Sequence, residues 1–149
     1  MAAINPWNSY RQTATLTAPR GQIILMLYDG AIRFLESALR GFAFTDPREV
    51  NMTIHNNLQR ASDVIRELDF ALDVDKGGEL AVTLRRLYTY FQQRIQVSNI
   101  RKQRAGIEEV IQYLNVLRDA WATMLKGEGA AALGDQIPRP AFAAAQANA

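Results

Sequence analysis

Apolar residues recur three and four apart along four long segments of this 149-residue chain, roughly 18–42, 47–72, 79–103 and 106–126. No stretch alternates apolar and polar residues over the length of a strand. That spacing gathers side chains on one side of an α-helix. At 1.5 Å per residue each segment would run about 30–40 Å. The connections are short, so consecutive helices should be antiparallel. The pattern predicts an all-α, antiparallel four-helix bundle over residues 17–126. Residues 1–16 are polar with isolated aromatics, Trp7 and Tyr10, and read as a flexible N-terminal segment. Residues 127–149 hold nine alanines and three glycines and read as a disordered, low-complexity tail.

The residues between the segments agree with this reading. Thr17 and Pro19 mark the start of the first helix. Asp46 suits an N-cap, Pro47 the first helical position, and Glu49 completes a capping-box arrangement. Gly77-Gly78 breaks the chain between the second and third helices, and Glu79 follows where a carboxylate complements a helix N-terminus. Arg101, Lys102 and Arg104 close the third helix. Glu108 and Glu109 open the fourth.

The four apolar faces differ in width when residues are placed about 100° apart. The second helix is narrow, with Ile54, Leu58, Ala61, Val64, Ile65 and Leu68 near its centre. The third resembles it, with Leu80, Leu84, Leu87, Tyr88, Phe91 and Ile95 on one face. The first helix is broader. A central stripe of Ile24, Tyr28, Ala31, Leu35, Ala38 and Phe42 is flanked by Ile23, Leu27 and Phe34 on one side. Leu25, Ile32 and Leu39 flank it on the other. The fourth helix is also broad, from Ile107 through Leu117 to Leu125, with Tyr113, Ala120 and Met124 on a flank. A surplus of apolar surface can be covered by the chain's own ends, by a second copy in a homodimer, or by a partner protein. An obliquely packed bundle could also bury all of it.

Composition narrows the chemistry. There is no cysteine, and His55 is the single histidine. Disulfides, thiolate metal sites and the inward Glu-x-x-His pairs of metal-binding bundles are therefore excluded. No phosphate-binding loop or nucleophile–histidine–acid set is legible, so the chain does not read as an enzyme and needs no cofactor. Net charge is +2. Arg101, Lys102 and Arg104 are better explained as helix-dipole complement than as a nucleic-acid surface. The longest apolar run, Ile23 to Tyr28, is far short of the roughly 20 residues of a membrane span. No secretory signal is legible at the start, so the cytoplasm is the expected compartment.

Particular residues carry a likeness to a known family. The segment from Ile24 to Phe34, with Leu27-Tyr28-Asp29-Gly30 at its centre, is similar to the first-helix motif of the bacterial flagellin-specific export chaperones, the FliS family. Asn5-Pro6 with Tyr10, Ile65-x-Glu67-Leu68 and Leu72-Asp73 before Gly77-Gly78-Glu79 also resemble that family. So do Leu87-Tyr88, Arg94 to Asn99, and Leu117-Arg118-Asp119-Ala120-Trp121. The resemblance implies a helical bundle that binds the C-terminal segment of flagellin in the cytosol, prevents premature polymerisation and delivers it to the flagellar type III export apparatus. It further implies that Trp7 and Tyr10 dock the export gate. With the two broad stripes, it makes Ile23, Leu27, Phe34, Tyr113 and Leu117 the candidate flagellin-binding residues. Charged replacements of Leu27 or Leu117 are expected to weaken binding without unfolding the bundle. Tyr28 lies on the central stripe and is assigned to the core.

Overall fold

The computed structural model describes residues 20–127. The expected N-terminal segment 1–16, with Trp7 and Tyr10, lies outside the described residues, as do Thr17, Pro19 and tail residues 128–149. Four helices account for most of the described chain: α1 (Arg20–Gly41), α2 (Pro47–Phe70), α3 (Val74–Arg101) and α4 (Ala105–Leu125). There is no strand among the described residues. The all-α bundle expected from the periodicity is the fold observed.

The local reasons are those of the helix ends. Asp46 is extended, and its carboxylate accepts from the Arg48 amide at 2.9 Å, with Pro47 opening α2 behind it. Asp73 caps α3 in the same way, accepting from the Lys76 amide at 3.1 Å. The glycine pair does not separate α2 from α3, as expected, but lies within the first turns of α3. One helical turn forms after Asp73, and the break falls at Gly78, whose φ of 54° and ψ of −134° are costly for any residue with a side chain. Lys102 ends α3 in a left-handed conformation (φ 49°), and its ammonium holds the Asn99 carbonyl at 2.8 Å and the Asn99 side-chain oxygen at 2.6 Å.

Cross-links between helices fix their directions. On α2 and α3, His55 meets Asn99, Ser62 meets Gln92, and Asp69 meets Arg85, so the two run antiparallel. On α1 and α4, Trp121 donates to the Gly21 carbonyl at 2.9 Å and Arg118 pairs with Asp29 at 2.6 Å. Arg20 donates to Ala71, whereas Gly41 packs beside Thr53 and Ile54, which reverses α2 against α1. Arg94 pairs with Glu109, and the Phe91 and Tyr113 rings lie 5.8 Å apart, which joins α3 to α4. Each helix thus has two neighbours in a closed ring.

The core runs through all four helices. Leu35, Ile54, Leu58, Ile65, Leu87, Phe91, Ile107, Val110 and Leu114 are fully buried. The Tyr28 and Tyr88 hydroxyls hydrogen-bond at 2.5 Å across the diagonal of the bundle. Pairing two hydroxyls offsets the cost of burying each alone. Burial pushes the Tyr28 hydroxyl up to about 12 and that of Tyr88 well above the ordinary value of 10.0.

Candidate functional site

The broad face of α1 is consumed by packing. Leu27 is 4% exposed and Leu117 is 1% exposed, and both belong to the continuous core. This corrects the expectation that they stand on a surface. Leu27 on one flank of the α1 stripe and Ile32 on the other are both buried, so the bundle covers apolar surface on both sides of that stripe. Ile23, Phe34 and Tyr113 are half-buried. The Asp29–Arg118 pair and the opposed directions of α1 and α4 put Phe34 at the level of Tyr113 along the bundle. Of the five candidates, Phe34 and Tyr113 are therefore brought to one level, Ile23 lies toward the opposite end of α1, and Leu27 and Leu117 support from within.

Two concavities are described among residues 20–127. One is a cleft of about 520 Å³ at the end of the bundle where α1 and α3 begin and α2 and α4 finish. Its walls are Ile24, Leu72, Leu80, Leu84, Trp121 and Leu125, with Tyr28 and Tyr88 beneath. Arg20, Asp73 and Lys76 add charge to this otherwise apolar lining. The other is a groove of about 550 Å³ along α2 and α3. Gln59, Ser62, Gln92, Gln96 and Asn99 make its walls rich in amides, and Tyr88 lines it too.

Beside Tyr113, Glu109 accepts from the Tyr90 hydroxyl and pairs with Arg94 at 3.1 Å. Desolvation first, and then the Glu109 carboxylate, push the Tyr90 hydroxyl up to about 12. Both tyrosines stay neutral at ordinary pH and present ring faces with polar tips, which suits contact with a mixed apolar and polar partner.

His55 is exposed and bonded to Asn99. No group of three or more His, Cys, Asp or Glu side chains among the described residues is placed to hold a metal ion. No described helix is long and apolar enough to cross a membrane. The basic residues after α3 are engaged locally: Lys102 holds Asn99, while Arg104 pairs with Glu108 and lies 5.6 Å over the Phe42 ring.

A family model described as flagellar protein FliS matches residues 3–128. The chain belongs to the FliS family. A flagellar secretion chaperone FliS of Bacillus subtilis is 32% identical over 128 residues, 86% of this chain and 92% of the relative. The Salmonella typhimurium protein of that name is 36% identical over 112 residues, covering 74% of this chain and 79% of its own. That of Campylobacter jejuni is 31% identical over 123 residues, 82% and 92% of the two chains. The FliS match includes the four helices and both concavities.

The sequence pattern did not single out the most exposed large apolar residues. Phe70 at the end of α2 is 79% exposed, Ile100 at the end of α3 is 75%, and Met52 at the start of α2 is 54%. All three lie off the apolar stripes, and that displacement was the available signal.

Proposed function

We propose that this chain is a flagellar secretion chaperone that binds the C-terminal segment of flagellin in the cytoplasm and presents it to the flagellar export apparatus. The observation that carries the reading is the apolar end cleft in a chain of this family. A bundle offering such a cleft can take anchor side chains of an amphipathic segment. Ordering a disordered segment costs about 2–5 kcal/mol of the gross interaction, so a large apolar contact is needed. In this reading Ile23, Phe34 and Tyr113 extend the contact beyond the cleft. Leu27 and Leu117 act only by holding α1 and α4 in place. Trp7 and Tyr10 dock the export gate. The role is capture and release, with no enzymatic step and no cofactor.

Calorimetric titration with a synthetic peptide of flagellin's C-terminal segment tests it. The expected result is saturable binding with a negative heat-capacity change. A flat titration at high peptide concentration overturns the reading. Replacing both Trp7 and Tyr10 by alanine should leave that titration unchanged and reduce flagellin secretion.

A second reading, a homodimer or a helical adaptor for another protein, draws support from the exposure of Phe70 and Ile100. Mass that rises with concentration in the absence of peptide binding would favour it.

A further inference from the structure

Three cross-links join α2 to α3 along the groove, and they form a regular ladder. His55 meets Asn99, Ser62 meets Gln92, and Asp69 meets Arg85. Successive rungs are seven residues apart on both helices, so they stand about 10 Å apart along the bundle. The outermost rung differs from the other two because it contains a histidine, the single one in the chain. We propose that His55, Asn99 and Lys102 form a proton-operated latch, which closes this end of the α2–α3 groove while His55 is neutral and releases it when the ring takes up a proton.

The geometry around Asn99 carries the assignment. The Lys102 ammonium, which has donors only, holds the Asn99 side-chain oxygen at 2.6 Å and the Asn99 carbonyl at 2.8 Å. That fixes which way the amide points. Its nitrogen is turned to His55, 2.9 Å from Nδ1. An amide nitrogen only donates, so Nδ1 accepts and the proton of the neutral ring sits on Nε2. A protonated imidazole carries N–H on both nitrogens and has no acceptor left. Two donors then face each other. The amide cannot answer by turning over, because its nitrogen would then face the ammonium. Lys102 is itself held in place: it ends α3 in the left-handed conformation, and the Gln103 amide behind it donates to the Ser98 carbonyl at 3.1 Å.

The charges around the rung act in the same direction. On α2 the turn on either side of His55, residues 51–54 and 56–59, is uncharged, with Arg48 and Glu49 before it and Arg60 after it. On α3 no acid occurs from Leu80 to Arg101, and Arg101 and Lys102 follow shortly after Asn99. The acids at this end of α4 and before α2 are engaged elsewhere: Glu108 pairs with Arg104, Glu109 with Arg94, and Asp46 accepts from the Arg48 amide. At the end of α1, Arg40 holds Ser37. A proton on His55 therefore removes an acceptor and adds positive charge to a rung already held by an ammonium. The closed latch binds one proton fewer than the open one, so closure weakens as pH falls through the histidine range, about pH 8 to 5. Gln96, Asn99 and Ile100 line the groove, so release loosens this end of its wall while the other two rungs hold.

The chain has no cysteine, so Met52→Cys with Ile100→Cys gives two labelling positions, both at exposed side chains beside the rung. Nitroxides at these positions in the full-length protein report the separation of α2 and α3. Between about pH 7.5 and about pH 5 the population at longer distance should grow about two- to tenfold, the change expected from losing one hydrogen bond. His55→Gln should give the same distances at both pH values. Lys102→Met frees the amide to turn its oxygen to the charged ring and should abolish the pH response. Asn99→Asp supplies a carboxylate that accepts from the charged ring, so the response should reverse in sign. Nitrogen-15 NMR of the single imidazole in the parent chain at about pH 7.5 should show the Nε2–H tautomer. A parent without a pH response, a response kept in His55→Gln or Lys102→Met, or an Nδ1–H tautomer each overturns the proposal. So does an Asn99→Asp response that is absent or of the parent's sign. The readout involves this chain alone, so it stands or falls separately from flagellin binding.

Discussion

Leu117→Ala separates a supporting residue from a contact residue. The substitution removes three carbons from a side chain that is 1% exposed. At about 0.8 kcal/mol per buried methylene the lost transfer energy is about 2.4 kcal/mol. The space left in a close-packed bundle collapses only in part, and measured Leu→Ala costs accordingly run to about 3–5 kcal/mol. A domain of this size has a total stability on the order of 5–15 kcal/mol. The variant should therefore keep its helices at room temperature and melt on the order of 10 °C earlier. Val116→Ala is the built-in control, because Val116 is itself 37% exposed and should lose well under half as much. Urea unfolding followed by circular dichroism gives both stabilities, and peptide titration at low temperature gives affinity for the folded form. Core status predicts a large stability loss with affinity changed less than stability. A Leu117→Ala protein as stable as its parent, with peptide binding abolished, would refute the assignment of Leu117 to the core.

Gly106→Ala should destabilise by about 1–3 kcal/mol through overpacking, because an added Cβ would overlap Ser98 Oγ and approach the Arg94 carbonyl at 3.3 Å; urea midpoints check this, and a stability gain would be contrary. Asp29→Asn breaks an ion pair whose side chains are 31% and 36% exposed, so it should cost under about 1 kcal/mol, with the difference shrinking as salt is added. Alkaline pH should weaken the fold. Tyr28 ionises near 10 when unfolded and at about 12 when folded, so the native state holds more protons in that interval and stability falls as pH rises through it. Comparing unfolding midpoints at about pH 9 and about pH 11 for the parent and for Tyr28→Phe should show a shallower fall in the variant.

Much of the architecture was readable because local signals and the global fold agree. The Asp46-Pro47 start of α2, the glycine break before the body of α3, and the apolar faces of α2 and α3 all followed from spacing and end chemistry. The width of α1 was also legible, but its meaning was not. A helical projection shows how much apolar arc exists, whereas how much of that arc the neighbouring helices cover is a tertiary property. Leu27 and Leu117 were therefore placed on a surface when they lie inside. The end cleft had no sequence signature, since Ile24, Leu80 and Trp121 come from three helices and Leu72 from the connection after α2, and they meet only after the chain has folded. Phe70 and Ile100 were visible as apolar residues but lay outside the stripes that guided the reading.

Tyr88 stands in the wall of the end cleft and in the wall of the α2–α3 groove, with its hydroxyl tied to Tyr28. A shared partition couples two concavities wherever an occupant of either one moves it. An occupant of the cleft that shifts this ring reshapes the groove, and an occupant of the groove does the same in return. The two affinities must then change by one common factor, whichever ligand arrives first. A chaperone built in this way could register on one flank whether its end is filled, by means of a single aromatic ring.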